Sequence, residues 1–264
     1  MGERRPPEEV PVSTTVQRLW RRRPAPRRGP KAALTLDRIV EAAIAIAGQG
    51  GLAGVSMARL AAALDVSPAA LYRHIDGKDE LHVLMCDAMA ARLPDVPEGL
   101  DWRDGLEWWT RAQIELALAE PWMLDLPLAS APSGPHRIRW LDQALGAMSG
   151  LDLAPAVKLR ITGLLAQHVL GEARVQIEIE RVTAAAERAD GDGGAAQGDA
   201  ASPYAGFEAL LAGFADPDDY PGLFSAFAGA SAAGSGDEEA AHEAFGIAVL
   251  LDGIAAYIAR SGGS

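Results

Sequence analysis

Residues 55–81 of the 264-residue chain read VSMARLAAALDVSPAALYRHIDGKDEL, and no other part of the sequence says as much about the fold. Ser56 is placed to cap a short helix, because serine oxygens accept the free N–H groups at helix starts. Asp65 interrupts that helix. Ser67 and Pro68 mark the start of the next one: serine accepts a free N–H, and proline at the first helical position gives up an N–H that has no partner. The stretch therefore predicts two short helices joined by a tight turn.

The second helix, predicted from Pro68 to Ile75, has one apolar face and one small, polar face. Leu71 and Ile75 lie four residues apart and should pack inward together. The opposite face carries Ala69, Ala70, Arg73 and His74. Short alanines allow close approach to another surface, and arginine donates to guanine or phosphate. This combination is typical of the second helix of a helix-turn-helix, which lies in the major groove of DNA.

Two longer helices frame this motif. Apolar residues recur at helical spacing over residues 36–47, and Thr35 is the expected cap. Another helix is predicted over residues 78–93, where Pro94 ends it. Residues 34–94 therefore predict a three-helix DNA-binding domain together with a connecting helix.

The rest of the chain is also helical by pattern. Residues 95–264 lack the alternation of apolar and polar residues that half-buried strands show. Helical spacing instead covers residues 102–119, 136–149, 156–188 and 238–260, and the glycine-rich segments 190–202 and 229–237 indicate loops. The predicted fold class is all-α, with an N-terminal three-helix helix-turn-helix domain and a larger helical C-terminal domain.

Charge is divided sharply along the chain. The formal net charge is −12, yet residues 1–94 carry 14 Lys and Arg against 10 Asp and Glu, whereas residues 95–264 carry 10 against 26. Only the first part is suited to face phosphates. Residues 1–33, rich in proline and arginine, predict a disordered basic arm. That arm is either a salt-sensitive tether to DNA or a tail without a partner.

Several other classes of protein are disfavoured. Cys86 is the single cysteine, so no intramolecular disulfide forms, and no signal peptide or membrane span is recognisable. We therefore expect a cytoplasmic protein with no membrane partner. The five histidines lack the spacing of metal ligands and no nucleophile has an evident activating partner, so we expect no metal, no other cofactor and no enzymatic activity.

The helix-turn-helix closely resembles the DNA-binding domain of the TetR family of repressors. The resemblance is carried by the pattern VS-x-x-x-LA-x-x-L-x-VS-x-x-x-LY-x-H within residues 55–75 and by K-x-x-L at residues 78–81. It covers roughly residues 34–94. Asp65 departs from the family's pattern, which usually has glycine in the turn, and aspartate tolerates a left-handed backbone less well than glycine does.

The resemblance implies a role for each residue of the motif. Tyr72 and Lys78 would clamp phosphates, and His74 would lie at the DNA surface. The residues implied to lie near phosphates or base edges are Ser56, Ser67, Ala69, Ala70 and Arg73. The alternative is that Tyr72 is a core aromatic and His74 a solvated surface residue.

Residues from about 101 to 260 resemble, more loosely, the C-terminal domain of the branch of this family that includes the tetracycline repressor. The carriers include DWRD at 101–104, Gly134-Pro135 and LLDG at 250–253. The resemblance implies a homodimer held by the last two long helices of each subunit, with an effector pocket enclosed by the helices before them. The helix at 238–260 suits that role, because it is apolar or small nearly all round.

Five of the six tryptophans fall between residues 102 and 140, where the resemblance puts the pocket. Aromatic walls suit a flat apolar ligand. The candidate ligand-binding residues are Trp108, Trp109, Gln113, Trp140, Gln143, His168 and Arg174. The alternative for the tryptophans is that they are ordinary core residues. The alternative for the polar residues is that each is a buried group with its hydrogen bonds satisfied or lies at the pocket rim.

The tetracycline repressor's magnesium and ring ligands are replaced here by Pro94, Trp109, Pro127 and Val175, so a metal-tetracycline complex is not the expected effector.

Together these patterns predict a ligand-responsive repressor that binds a palindromic duplex operator as a homodimer and is released by an apolar or aromatic small molecule. The excess of carboxylates in residues 95–264 favours a neutral or cationic ligand. A DNA-binding activator, or a constitutive regulator that senses no ligand, is the alternative that the sequence leaves open.

Overall fold

The computed structural model describes residues 13–21, 34–127, 133–190, 211, 213–230 and 238–261. Within these residues all regular structure is helical, which confirms the predicted all-α class. The chain divides into two compact units, Met1–Leu170 and Gly171–Ser264. The predicted domain boundary at residue 94 falls inside the first unit.

The first unit contains most of the helices. They are α1 (Thr14–Arg21), α2 (Leu36–Gly50), α3 (Met57–Ala63), α4 (Pro68–Leu71), α5 (Lys78–Ala90), α6 (Trp102–Ala119), α7 (Pro135–Ala147) and the first part of α8 (Pro155–Asp190). Single 3₁₀ turns follow α2 at Leu52–Gly54 and α6 at Pro121–Asp125. The second unit contains the rest of α8, α9 (Pro221–Ala230) and α10 (Glu238–Ser261). None of the described helices combines the length and hydropathy needed to cross a membrane.

Several helices begin and end where the sequence predicts. The Thr35 hydroxyl accepts the N–H of Arg38 at 3.3 Å, and the Ser56 hydroxyl accepts the N–H of Arg59 at 3.2 Å, so both predicted caps are confirmed. Gly51 ends α2 with a φ of 69°, a conformation that glycine adopts without steric cost. Helix α6 has the predicted bounds.

The turn between α3 and α4 is tight, and its neighbourhood differs from the prediction at two points. Asp65 has a φ of 54°, the left-handed conformation, and the N–H of Val66 bonds back to α3 at 3.0 Å. The Ser67 side chain makes no capping hydrogen bond, so its predicted capping role is wrong. Helix α4 ends at Leu71 rather than at Ile75, and the chain continues as a turn.

The helix-turn-helix is anchored in the core of the first unit. Leu71 and Ile75 are fully buried, as predicted, in one cluster with Val40 of α2, Leu60 of α3 and Leu81 of α5. Complete burial of an aliphatic side chain contributes roughly 1.5 to 3 kcal/mol. The inner face of the motif is therefore fixed, and its outer face remains at the surface.

The prediction of a disordered arm over residues 1–33 is wrong for residues 14–21, which form the helix α1. Leu19 of α1 is fully buried in the core of the first unit. The pattern missed α1 because a helix of eight residues is too short to be stable alone or to show a clear periodicity, and it is held by packing against the rest of the unit. Residues 1–12 and 22–33 lie outside the described residues.

Smaller differences affect helix ends and the second unit. Helix α5 ends at Ala90 rather than at residue 93. Helix α9 was not predicted, because its sequence PGLFSAFAGA combines glycine and serine with only a short apolar pattern. The predicted loops at 190–202 and 229–237 lie for the most part outside the described residues.

Candidate DNA-binding surface and internal cavity

The candidate DNA-binding surface consists of the eight residues predicted for it, and all eight are accessible to solvent. The exposed ones are Ser56, Ser67, Ala69, Tyr72, Arg73 and Lys78. Ala70 and His74 are partly buried. The structure thus places the predicted residues at the N-terminal caps of α3 and α4, on α4, in the turn that follows it and at the first residue of α5.

Tyr72 shows most clearly that this surface is available to a partner. Its side chain is 53% exposed, although the preceding residue, Leu71, is 0% exposed. Its backbone N–H bonds the Pro68 carbonyl at 3.2 Å and closes α4. The structure therefore places Tyr72 at the surface rather than in the core.

Two carboxylates close to Lys78 in the chain are paired with α1. Arg18 donates to Oδ1 of Asp76 at 3.0 Å and also to the carboxylate of Glu80. The hydrogen bond to Glu80, followed by the one to Asp76, raises the pKa of Arg18. The pairing offsets negative charge that would repel phosphate beside Lys78. Local sequence patterns do not reveal this role of Arg18, because its partners lie 58 and 62 positions away along the chain.

His82, one turn into α5, is partly buried, and its Nε2 atom has no hydrogen-bond partner among the described residues. Burial lowers the pKa of His82, and the charge of Lys78 lowers it further. The imidazole is therefore neutral at pH 7 and adds no positive charge beside Lys78.

A cavity of about 480 Å³ lies inside the first unit, between α5, α6, α7 and α8. Most of its lining is apolar. The polar or charged side chains among the lining residues are Gln113, Arg137, Thr162 and Gln167. A volume of this size and lining is typical of sites for drug-sized molecules.

Two tryptophans form one wall of the cavity. The rings of Trp109 and Trp140 are stacked, with centroids 5.6 Å apart and planes inclined by 15°. The indole N–H of Trp109 donates to the backbone carbonyl of Trp140 at 2.8 Å, which fixes the Trp109 ring. Trp108 also packs near Trp140, with its ring centroid 6.3 Å from that of Trp140 and a tilt of 47°. This wall is therefore aromatic, and ring stacking and a hydrogen bond hold it in place.

Two family models match the chain. One, described as "Bacterial regulatory proteins, tetR family", matches residues 39–83, and the other, described as "Tetracyclin repressor-like, C-terminal domain", matches residues 93–258. The second match alone spans more than half of the 264 residues. The chain belongs to the TetR family. The first match covers α3, α4 and most of α2, and the second covers the cavity-lining parts of α6, α7 and α8.

Individual proteins that are similar to this chain are also transcriptional regulators. The HTH-type transcriptional repressor DrrR1 of Streptomyces coeruleorubidus is 35% identical over 178 residues, 65% of this chain and 66% of that protein. An HTH-type transcriptional regulator of Saccharopolyspora erythraea is 28% identical over 151 residues, 56% of this chain and 64% of that protein. The chain thus matches slightly less than two thirds of the length of these relatives. ActR of Streptomyces coelicolor, solved in complex with actinorhodin, shares the fold, with a TM-score of 0.61, 23% identity, and coverage of 85% of this chain and 97% of that one.

The cavity of this TetR-family chain includes three of the seven predicted ligand residues. Those that line it are Trp109, Gln113 and Trp140, whereas Trp108, Gln143 and His168 do not, and Arg174 belongs to the second unit. The side chain of Gln143 is bonded elsewhere, because it donates to Asp95 and accepts the N–H of Val96 at 3.4 Å. Arg137 and the small residues of α8 were not predicted to line the cavity, since no local pattern distinguishes them from other helical residues.

A hydrogen-bonded joint connects α5 to α7 beside the cavity. Asp87 is 1% exposed, and its Oδ1 atom accepts the backbone N–H groups of His136 and Arg137, both at 3.0 Å. A residue of α5 thus caps α7. Gly134 leaves room for this contact, because a Cβ atom there would lie 2.1 Å from Oδ1 of Asp87.

Cys86 precedes Asp87 and contributes a thiol to the cavity lining. Burial raises the pKa of this thiol to about 11, so it is neutral at pH 7. Among the described residues, no group of three or more His, Cys, Asp or Glu side chains is placed to hold a metal ion.

Proposed function

We propose that the chain is a ligand-responsive transcriptional repressor that binds an inverted-repeat operator as a homodimer and leaves it when a small molecule enters the cavity. The main support for this proposal is the structure of the helix-turn-helix. Two fully buried residues, Leu71 and Ile75, hold a short helix whose outer face carries small and polar exposed side chains. Membership of a family of bacterial regulatory proteins supports this role over catalysis. Such a protein would work in the cytoplasm, on duplex DNA.

In this proposal the exposed residues contact different parts of the DNA. Tyr72 and Lys78 contact phosphates and set the register of the protein on DNA, and Arg73 donates to base edges or phosphate in the major groove. Ala69 and Ala70 let the backbone of α4 approach the groove closely. Ser56, Ser67 and His74 border the same contact.

A homodimer is supported by an apolar stripe on α10. Phe245, Val249 and Tyr257 are 68%, 51% and 43% exposed, and they recur with Gly253 at intervals of four residues. Large apolar side chains aligned on one helix face are typical of an interface with another chain. Replacement of Val249 by Glu should yield monomers in sedimentation analysis, whereas Ile138→Glu, at an exposed position on α7, should leave the dimer intact.

Release is supported by the position of α5. This helix begins at Lys78, next to the proposed DNA contact, and contributes Cys86 and Ala90 to the cavity lining. A ligand that favours a different placement of α5 would lower DNA affinity, and a coupling of roughly 1 to 3 kcal/mol corresponds to a change of about 5- to 150-fold. The solved complex of ActR with actinorhodin supports a small-molecule site in this fold.

Selection of duplexes from a random pool tests the proposal. The purified protein should enrich an inverted repeat whose half-sites lie about 34 to 36 Å apart, the spacing of successive major grooves. Tyr72→Ala should weaken binding to that duplex. Tyr220→Ala, which alters an equally exposed tyrosine of the second unit, should not. Failure to enrich any duplex would refute the proposal.

A screen for effectors separates the repressor from its alternatives. In gel-shift and thermal-shift assays, a compound that binds the protein should release the selected duplex. Absence of any such compound among aromatic metabolites and antibiotics would favour a constitutive regulator. A compound that tightens DNA binding would favour an effector-dependent mode other than release.

A further inference from the structure

We infer that Arg18 of α1 is a positioning residue for DNA binding. Paired with Glu80, it fixes the turn between α4 and α5. This turn joins Tyr72 to Lys78, the two proposed phosphate contacts, so Arg18 would act on DNA binding through the turn and not by touching DNA itself. The inference rests on the proposed function, because it assigns a further residue to the same DNA-binding surface.

Glu80 attaches the turn to α5. Gly77 occupies the N-terminal cap position of that helix and makes no side-chain capping hydrogen bond. Glu80, in the first turn of α5, reaches back instead, and its Oε2 atom accepts the backbone N–H of Asp76. A glutamate that bonds back in this way fixes the path of the chain into a helix. The position of the turn relative to α5 therefore depends on the Glu80 carboxylate.

The Glu80 carboxylate is buried, and Arg18 is its charge partner. Its side chain is 4% exposed, and the Oε2 atom that holds Asp76 also accepts a hydrogen bond from Arg18. Its Oε1 atom has no hydrogen-bond partner among the described residues. A buried carboxylate that loses its cation is strongly destabilising. Without Arg18, the Glu80 side chain would be drawn toward water and away from Asp76.

The packing of α1 holds Arg18 beside the turn. Leu19 is fully buried in the core of the first unit. The indole N–H of Trp20 donates to the backbone carbonyl of Ser133 at 3.0 Å, just before α7. Arg18 itself also donates to Oδ1 of Asp76, within the turn, at 3.0 Å. The guanidinium therefore reaches the turn from a helix that is itself attached on two sides.

Charge alone predicts the opposite effect for Glu80. A carboxylate two positions from Lys78 repels the phosphates of DNA, so its removal should strengthen binding. If the carboxylate positions the turn, its removal should weaken binding instead, because a surface that must be ordered on binding loses part of the favourable free energy. The sign of the change in DNA affinity therefore separates positioning from simple repulsion.

Substitution of two neighbouring carboxylates on α5 measures that sign. Full-length variants are titrated against the selected duplex by fluorescence anisotropy, at a temperature where thermal melting shows them to be folded. Glu80→Met should weaken binding about tenfold, although it removes a negative charge. Asp79→Asn, the matched control at an exposed position, should bind as tightly as wild type or up to about threefold more tightly. Binding by Glu80→Met as tight as that of Asp79→Asn would overturn the inference.

Variants at Arg18 show how the cation acts. Arg18→Met should weaken binding to the same duplex about tenfold, and Arg18→Lys, which keeps a cation, should recover most of the loss. In a Glu80→Met background, Arg18→Met should weaken binding little further, since its buried partner is gone. The slope of log affinity against log salt should keep its wild-type value in Arg18→Met. A slope reduced by about 0.9 would show that Arg18 binds a phosphate itself, which would overturn the inference.

Amide hydrogen exchange tests the link from Arg18 to the turn without DNA. In Arg18→Met, peptides that cover residues 72–80 should exchange faster than in wild type, while peptides from α6 should be unchanged. Arg160→Met, at an exposed position of α8, is the control for loss of an arginine. Wild-type exchange throughout Arg18→Met would refute the link.

These measurements also separate the inference from the proposed function. If no duplex is selected, the proposed function fails. If a duplex is selected and both Arg18→Met and Glu80→Met bind it like wild type, the inference alone fails.

Discussion

The DNA-reading head, residues 34–94, and the cavity wall, residues 102–170, are packed in opposite ways. In the head, Leu71 and Ile75 are completely buried, and the residues proposed to bind are on the outside. In the cavity wall the residues proposed to bind face about 480 Å³ of unfilled space. The head therefore depends on complete packing for the shape of its surface, whereas the cavity wall depends on incomplete packing.

One helix takes part in both regions. Lys78 begins α5 in the head, and Cys86 and Ala90 line the cavity near its other end. Asp87 attaches the same helix to α7, which carries Trp140 of the cavity wall. Under the proposed function, a ligand in the cavity and a duplex on the head would therefore both act on α5.

Because the two regions are packed differently, the same substitution should change the free energy of unfolding by very different amounts in each. This is the largest effect that we predict. Leu71→Ala should lower the free energy of unfolding by roughly 2 to 5 kcal/mol, because it leaves a void in a closed core. Leu159→Ala, the same change in a cavity-lining residue that is 50% exposed, should cost less than about 1 kcal/mol. Urea unfolding of both variants measures the difference. Equal losses would show that the two regions are packed alike.

The next largest change in the free energy of unfolding is expected where Asp87 of α5 meets the start of α7. Gly134→Ala should lower the free energy of unfolding by roughly 1 to 3 kcal/mol, because the new methyl group collides with the Asp87 carboxylate. Gly146→Ala, also in α7 but with open space at its Cβ position, should be neutral or stabilise by up to about 1 kcal/mol.

Removal of the Asp87 carboxylate isolates the cause of that loss. In an Asp87→Ala background, the added cost of Gly134→Ala should shrink, since the colliding group is gone. An undiminished cost would place the strain elsewhere than in this contact.

The pairing of α1 with the head should have a modest effect. Arg18→Met should lower the free energy of unfolding by roughly 1 to 3 kcal/mol, because it removes two ionic hydrogen bonds and leaves Glu80, whose side chain is 4% exposed, without its arginine partner. Thermal or urea unfolding measures the loss, and Arg160→Met, at an exposed position of α8, serves as the control. If both variants matched wild type, the ion pairs of Arg18 would contribute nothing to the stability of the head.

The smallest effect is a pH dependence at His82. Burial lowers the pKa of His82 below its ordinary 6.5, so the unfolded chain takes up a proton first as the pH falls. Its contribution to stability is therefore fully present above pH 6.5 and is lost on acidification, with a slope of at most about 1.4 kcal/mol per pH unit. His82→Leu should flatten the stability profile between pH 7 and 5. His136→Gln, at an exposed site, should leave it unchanged.

The two regions also differ in how much of them the sequence predicted. In the head, caps, turn and anchors lie within a few residues of each other, so Thr35, Ser56, Leu71 and Ile75 could be assigned from spacing alone. The cavity is lined by four helices, α5 to α8, and spacing along one helix does not show which residues face the helices packed against it. Trp109 and Trp140 were therefore found by residue type, while Arg137 and Gly163 were missed.

Contacts that are distant in sequence account for the remaining errors. Helix α1 looked like an arm because its partners, Asp76 and Glu80, lie 58 and 62 positions away from Arg18. The cap of α7 was missed for the same reason, since Asp87 is 49 positions from His136. Local sequence patterns predict where a helix begins and ends, but they do not predict which distant residues pair with it or cap it.

The claim that the segment from Ser56 to Lys78 contacts DNA is tested most directly by the salt dependence of binding to the selected duplex. Wild-type protein, Lys78→Gln and the control Arg160→Gln are compared by fluorescence anisotropy at increasing salt. Lys78→Gln should bind more weakly and lose about 0.9 from the slope of log affinity against log salt for each phosphate contact removed, while Arg160→Gln follows wild type. An unchanged affinity and slope for Lys78→Gln would contradict the claim.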